Sequence, residues 1–95
     1  MKVRLTLPQQ GALECRRDGL EPLTLEAWQG RWLVFSRPQA DALLSELVEA
    51  SNAEDAQAER LRRCSDLECA RWAARDSRAL GNVASSIVRA LRKES

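Results

Sequence analysis

Between Asp66 and Lys93 two residue patterns share one helical period, and a fold that broke this stretch would lose both. Leu67, Ala70, Ala74, Ser77, Gly81, Ala84, Val88 and Leu91 recur at alternating steps of three and four. That is the spacing of a narrow packing seam on a helix, filled here mostly by small residues. Arg71, Arg75, Arg78, Asn82, Ser85, Arg89 and Arg92 recur with the same alternation, which aligns five guanidinium groups on a second stripe of the same rod. A helix over about 66–92 accounts for both. Gly81 and Asn82 are the one place where it can break. Both patterns keep phase across them, so a continuous helix is expected in which Gly81 permits close approach of a neighbouring backbone.

The residues before this rod also read as helix. Ser36 can cap, Pro38 suits a first turn because its missing N–H costs nothing there, and Gln39 completes a capping-box pattern. Ala40, Leu43, Leu44, Leu47 and Val48 then form the apolar stripe of a helix over 37–51. Ser51 and Asn52 can end it, with Asn52 capping a second segment over 53–63 that is supported by Glu59 and Arg63 at i,i+4. Nothing there forbids one continuous helix instead. Ser65 to Glu68 repeats the capping-box pattern and is expected to start the last helix.

The N-terminal part reads as strands. Val3, Leu5 and Leu7 alternate with Lys2, Arg4 and Thr6, Pro8 to Gly11 break the run, and Leu13 and Cys15 suggest a return strand. Asp18-Gly19 is a turn signal. A second hairpin is expected from residues 23–28 and 31–36 around a turn at Gln29-Gly30. In that register Ala27 faces Trp32 and Leu25 faces Val34. Trp28, Leu33 and Phe35 lie on the other side, so the last strand is apolar on both faces and suits a central position. A short helical turn at 24–29 competes with this hairpin. The expected fold is therefore α+β: a small antiparallel sheet of two N-terminal β-hairpins (about residues 2–36), followed by two or three helices (about 37–51, 53–63 and 66–92) packed on it. The 95 residues are expected to form a single domain, with residues 1–36 its β-rich part and 37–95 its helical part.

Composition bounds what such a fold can do. A chain this short buries only about 60–65% of its unfolded surface, so its core is thin and a homodimer would support it. Apolar residues make up 44% and charged residues 31%, which places the chain with globular proteins. No apolar run approaches the ~20 residues of a membrane span, and no signal-peptide pattern begins the chain. A cytoplasmic location with no membrane contact is expected. Cys15, Cys64 and Cys69 are odd in number, and no histidine exists to complete a zinc site. They are expected to be small core or boundary residues, and neither a metal nor another cofactor is expected. Thirteen arginines against two lysines, with fourteen alanines and fourteen leucines, fit a GC-rich bacterial or phage source.

The net charge of +1 hides an asymmetry: residues 37–59 carry net −5 and residues 60–95 net +5. Three uses of the arginine stripe follow from it. Guanidinium groups along one face can clamp successive phosphates, with Asn82 adding hydrogen bonds and Trp72 stacking on a base. The acidic segment can instead pack antiparallel and neutralise the stripe internally. Or the stripe can meet the acidic face of a second subunit or a partner protein. A near-neutral chain weighs against the first, since dedicated nucleic-acid binders carry a clear basic excess. Trp32 is expected in the core, and Trp28, at a hairpin tip, is a candidate interface anchor.

Catalysis has little to rest on. Without histidine there is no Ser-His or Cys-His pair, and no nucleotide-binding or hydrolase motif is present. The expected function is that of a small non-catalytic accessory or regulatory protein that acts by binding another protein. A phage or mobile-element modulator of a host complex fits the size and composition. Arg71, Trp72, Arg75, Arg78, Asn82, Arg89, Arg92 and Trp28 are the candidate binding residues. A nucleic-acid-binding protein using the arginine stripe is the alternative.

Overall fold

Thr6 and Gln9 decide what the first third of the chain becomes. In the computed structural model, which describes residues 1–15 and 26–94, the Thr6 N–H donates to Gln9 Oε1 at 2.8 Å, and the Gln9 N–H donates to Thr6 Oγ1 at 3.3 Å. This reciprocal capping box, with Pro8 in the first turn, starts helix α1 (Leu7–Cys15) directly after strand β1 (Lys2–Arg4). The expected first hairpin is therefore not formed. Leu13, read as part of a return strand, is instead fully buried on α1 beside Ala12.

The partner of β1 is a strand much further along. Strands β2 (Trp28–Gln29) and β3 (Trp32–Val34) form the second hairpin, and β1 adds to its far side, giving a three-stranded antiparallel sheet in the order β1-β3-β2. β3 is thus the central strand, as its two apolar faces imply. The hairpin turn is at Gly30 and Arg31, with Gly30 at φ +62°, where a side chain is disfavoured. Gln29 opposes Trp32 and Trp28 opposes Leu33, two residues away from the expected register. The competing helical turn is also partly present, since Glu26 and Ala27 are helical. Residues 23–25 and the Asp18-Gly19 turn lie outside the described residues.

The pleat sorts the aromatic residues. Leu33 and Phe35 are buried on the inner face with Val3, and Trp28 packs half-buried against them. Trp32 points outward and is 37% exposed, with the Lys2 ammonium 4.7 Å from its ring centroid. The expectation that Trp32 belongs to the core fails because it shares the outer face with Lys2, Arg4 and Val34.

Two long helices follow, α2 (Arg37–Arg63) and α3 (Leu67–Glu94). α2 begins where Gln39 Oε1 accepts from both the Ser36 N–H and the Ser36 hydroxyl, at 2.8 and 3.1 Å. It runs through Ser51 and Asn52 without a break, so the segments 37–51 and 53–63 are one helix. Its end is a Schellman turn: the Asp66 N–H donates to the Leu61 carbonyl and the Ser65 N–H to the Arg62 carbonyl, with Ser65 at φ +62°. Asp66, rather than Ser65, then caps α3, its Oδ1 accepting from the Cys69 N–H at 3.3 Å.

α2 and α3 form an antiparallel hairpin, with Arg37 donating to the Leu91 carbonyl at one end and Ser51 meeting Ser77 midway. The sheet and α1 pack on one side of its base, around Leu43, Leu47, Leu80, Val83 and Ile87. Toward the tip the buried residues are Ala58, Ala70 and Ala73. The hairpin gives the molecule its length, 45 Å against 22 and 21 Å across.

Candidate functional site

The long helix expected from the sequence is present, but its buried line is rotated from the expected seam. Ala70, Ala73, Ser77, Leu80, Ala84 and Ile87 are buried. Of the expected seam residues, Ala74, Gly81, Val88 and Leu91 are half-buried, and Leu67 is 59% exposed. The reason is that α3 packs against two bodies, α2 on one flank and the α1–sheet layer on the other, so its buried arc is centred between them. The displaced seam residues form one flank of a groove.

That groove runs along the side of the α2–α3 hairpin which the sheet and α1 leave bare. Its largest part, about 600 Å³, has Leu44 and Val48 on the α2 wall and Gly81, Ala84 and Val88 on the α3 wall, with Arg89 and Arg92 at its rim. A second depression lies nearer the tip, between Arg62 and the α3 residues Leu67, Ala74, Arg71 and Arg78. Val48 is 49% exposed there. Leu44 and Val48 were legible only as core stripe. An i,i+4 apolar pair beside Leu43 and Leu47 widens that stripe beyond what one buried face requires, and this was the available signal.

The arginine stripe lies along the α3 edge of the groove. Arg71, Arg75, Arg78, Asn82, Ser85, Arg89 and Arg92 are all exposed, so one helix face brings them together as expected. Their side chains are not equivalent. Arg75 turns away from the groove onto Trp72, its guanidinium carbon 5.4 Å from the ring centroid, and the Arg89 guanidinium donates to Ser86 Oγ at 3.1 Å. Trp72 is 57% exposed. Trp28 does not join this site, because it sits on β2 at the rim of the core, its indole N–H donating to the Gly30 carbonyl at 2.8 Å.

Internal neutralisation of the stripe does not occur in these side-chain positions. Among the described residues, Arg71, Arg75, Arg78 and Arg89 form no ion pair with a carboxylate, and the ion pair near the tip, Arg62 with Glu59 at 3.1 Å, is within α2. The acidic residues nevertheless line the opposite edge. Asp41, Asp55 and Glu59 follow the helical repeat that contains Val48 and Asn52, and all three are exposed. The groove therefore has an acidic lip on α2 and a basic lip on α3.

Two further polar features lie nearby. Asp76 is half-buried, and burial together with the neighbouring Glu54 pushes its carboxyl above the ordinary value, against a smaller opposing effect of Arg75. Cys15, Cys64 and Cys69 are free and exposed, so the expectation that they fill the core or its boundary is not met. They occupy a helix end, the hairpin turn and a first turn, where nothing packs over them. The Cys69 thiol is pushed up by its hydrogen bond to the Asp66 carboxylate and by that group's charge. Among the described residues no cluster of acidic or sulfur ligands could hold a metal ion, and no helix is long and apolar enough to cross a membrane.

No protein-family model, curated protein or solved structure matches this chain.

Proposed function

We propose that this chain is a small non-catalytic accessory or regulatory protein that acts by binding protein, and that the α2–α3 groove is its working surface. The observation that carries this reading is an apolar groove left bare along a helical hairpin, with Val48 exposed on one wall and guanidinium groups along the rim. Aliphatic side chains flanked by arginine are what protein interfaces use, the first for desolvated contact and the second for directional hydrogen bonds. Three free, exposed thiols suit a reducing compartment, so we place its action in the cytoplasm. Modulation of a larger host complex, in a bacterial or phage setting, fits a small protein built around one contact face.

A photo-crosslinking side chain at Asn82, on the groove's basic lip, tests the reading in the source cell, with Glu49 as a control position on another face of α2. Discrete protein adducts at position 82 and none at 49 are expected. Absence of adducts at 82, or the same adducts at both positions, would sink it.

A second reading is favoured by one observation, the lack of carboxylate partners for Arg71, Arg78 and Arg89. These groups could instead meet phosphates of a nucleic acid, and affinity would then fall steeply with salt. The acidic lip facing them across the groove opposes a phosphate backbone, which ranks this second. Binding to single- and double-stranded DNA and RNA over a salt series, with all three arginines changed to Ala, separates the two. Binding at low salt that the triple variant loses would support nucleic acid.

A further inference from the structure

Resting on the reading of the groove as a protein-binding surface, we propose that its occupant is a second copy of this chain. Two α2–α3 hairpins then pair face to face as an antiparallel four-helix bundle, with the two-fold axis parallel to the helices.

Charge placement selects both the partner and the axis. Ser51 meets Ser77, and Arg37 reaches Leu91. That antiparallel alignment puts Asp41 near the level of Arg89, Asp55 near that of Arg75, and Glu59 near that of Arg71. The acidic and basic lips are thus matched in height, although Asp41 and Asp55 form no ion pair among the described residues. A two-fold axis along the helices lays α2 of one copy over α3 of the other at the same height, so each acidic lip meets a basic lip. An axis across the helices lays α2 on α2 and α3 on α3, which opposes like charges and is disfavoured. A surface with both signs arranged this way complements itself, as an isologous contact requires.

Packing supports the same occupant. At the tip, beyond the sheet and α1, the two helices are joined through Ala58, Ala70 and Ala73. Alanine seams bury little apolar area, and helices draw most of their stability from packing, so this half gains most from another pair of helices. The size is also suitable. Helices of 27 and 28 residues present a side about 40 Å long and 20 Å wide, or about 800 Å² per copy, the per-partner area of a standard stable interface.

The test is the mass of the full chain in solution, by sedimentation over a range reaching high micromolar concentration. Two charge-reversed variants accompany it, one with Asp41, Asp55 and Glu59 changed to Arg, the other with Arg71, Arg78 and Arg89 changed to Glu. Wild type is expected at twice the 10.7 kDa chain mass. Each variant alone is expected to self-associate at least about tenfold more weakly, and their equimolar mixture to recover the dimer. All six positions are exposed, and circular dichroism confirms that the variants fold. A photo-crosslinker at Val48 in mixed ¹⁴N and ¹⁵N protein adds the geometry, through inter-copy peptides that join α2 to α3. Inter-copy α2–α2 peptides alone overturn the proposed axis. A wild-type monomer that still gives Asn82 adducts with other proteins overturns the second copy and leaves the groove as a binding surface. A dimer indifferent to both reversals, with no adduct at Asn82, overturns both.

Discussion

Ser51 and Ser77 clasp α2 to α3 through reciprocal hydrogen bonds. The Ser51 hydroxyl donates to the Ser77 carbonyl, and the Ser77 hydroxyl to the Ser51 carbonyl, each at 3.0 Å, with the two oxygens 3.1 Å apart. Ser77 is the polar residue buried among the apolar side chains of α3. Each hydroxyl bonds a carbonyl of the opposite helix, so the pair holds the hairpin's alignment at mid-length.

Removing either hydroxyl should cost about 1 kcal/mol of hydrogen bonding, offset by up to about 0.5 kcal/mol of better helix propensity in alanine. Ser77→Ala is therefore expected to destabilise by about 0.5 kcal/mol, and Ser77→Leu by at least about 2 kcal/mol because the helices leave no room for it. Urea unfolding of both single alanine variants and the double should show a coupling of about 0.5–1 kcal/mol. A coupling of zero would mean that the clasp contributes nothing beyond its separate parts.

The helical hairpin was legible because its patterns are long. Eight seam residues and seven stripe residues in phase across Gly81 leave no other period. The clasp was not legible, since Ser51 beside Asn52 carries the local chemistry of a helix stop, and tertiary packing overrode it. At the N-terminus, two alternating residues, Leu13 and Cys15, were too few to distinguish a strand from one face of a helix. The capping box of Thr6 and Gln9 settled the matter there. The sheet's central strand was readable from its two apolar faces, whereas the pairing of β1 with β3 spans 30 residues and leaves no local trace. For the candidate site, the arginine stripe was readable from spacing alone. The groove beside it was not, because Leu44 and Val48 look like core until the sheet is known to cover only the other side.

Ser65 has an unfavourable backbone conformation at the tip. Its φ of +62° closes the Schellman turn between the long helices, a conformation costing a residue with a side chain roughly 1–2 kcal/mol. Glycine lacks that penalty but gives up more chain entropy on folding. Ser65→Gly is expected to stabilise by about 0.5–1 kcal/mol, and Ser65→Val to destabilise by more than about 1 kcal/mol. Thermal unfolding of the two variants should bracket wild type. If Ser65→Gly melts lower, the turn does not carry this strain.

Gly81 offers a contrasting case. A Cβ built there meets Ser51 Oγ at 3.7 Å, an ordinary contact, so the close approach expected of this glycine is not what retains it. It lies inside a continuous helix, where glycine is about 0.5–1 kcal/mol worse than alanine. Gly81→Ala should raise stability by about that amount in chemical denaturation, while Gly81→Pro should break α3 and unfold the base. Loss of stability in the alanine variant would show that α2 cannot yield the few tenths of an ångström the methyl group requires.

Asp76 makes stability depend on pH in an uncommon direction. Burial and the adjacent Glu54 raise its folded pKa above the ordinary 3.8. The folded state therefore holds the proton over a range where the unfolded chain has released it, and stability falls as pH rises through that range. Below the ordinary value both states are protonated and the penalty vanishes. Above the raised value the full penalty applies, so it is present at neutral pH. Asp76→Asn, which removes the charge with little change of shape, is expected to stabilise the protein at pH 7 by about 1 kcal/mol or less, since the group is only half-buried. The gain should shrink toward zero as the pH approaches 3. Urea unfolding of wild type and Asp76→Asn at several pH values measures it directly. A gain that stayed constant with pH would assign the effect to packing or hydrogen bonding rather than to the carboxylate's charge.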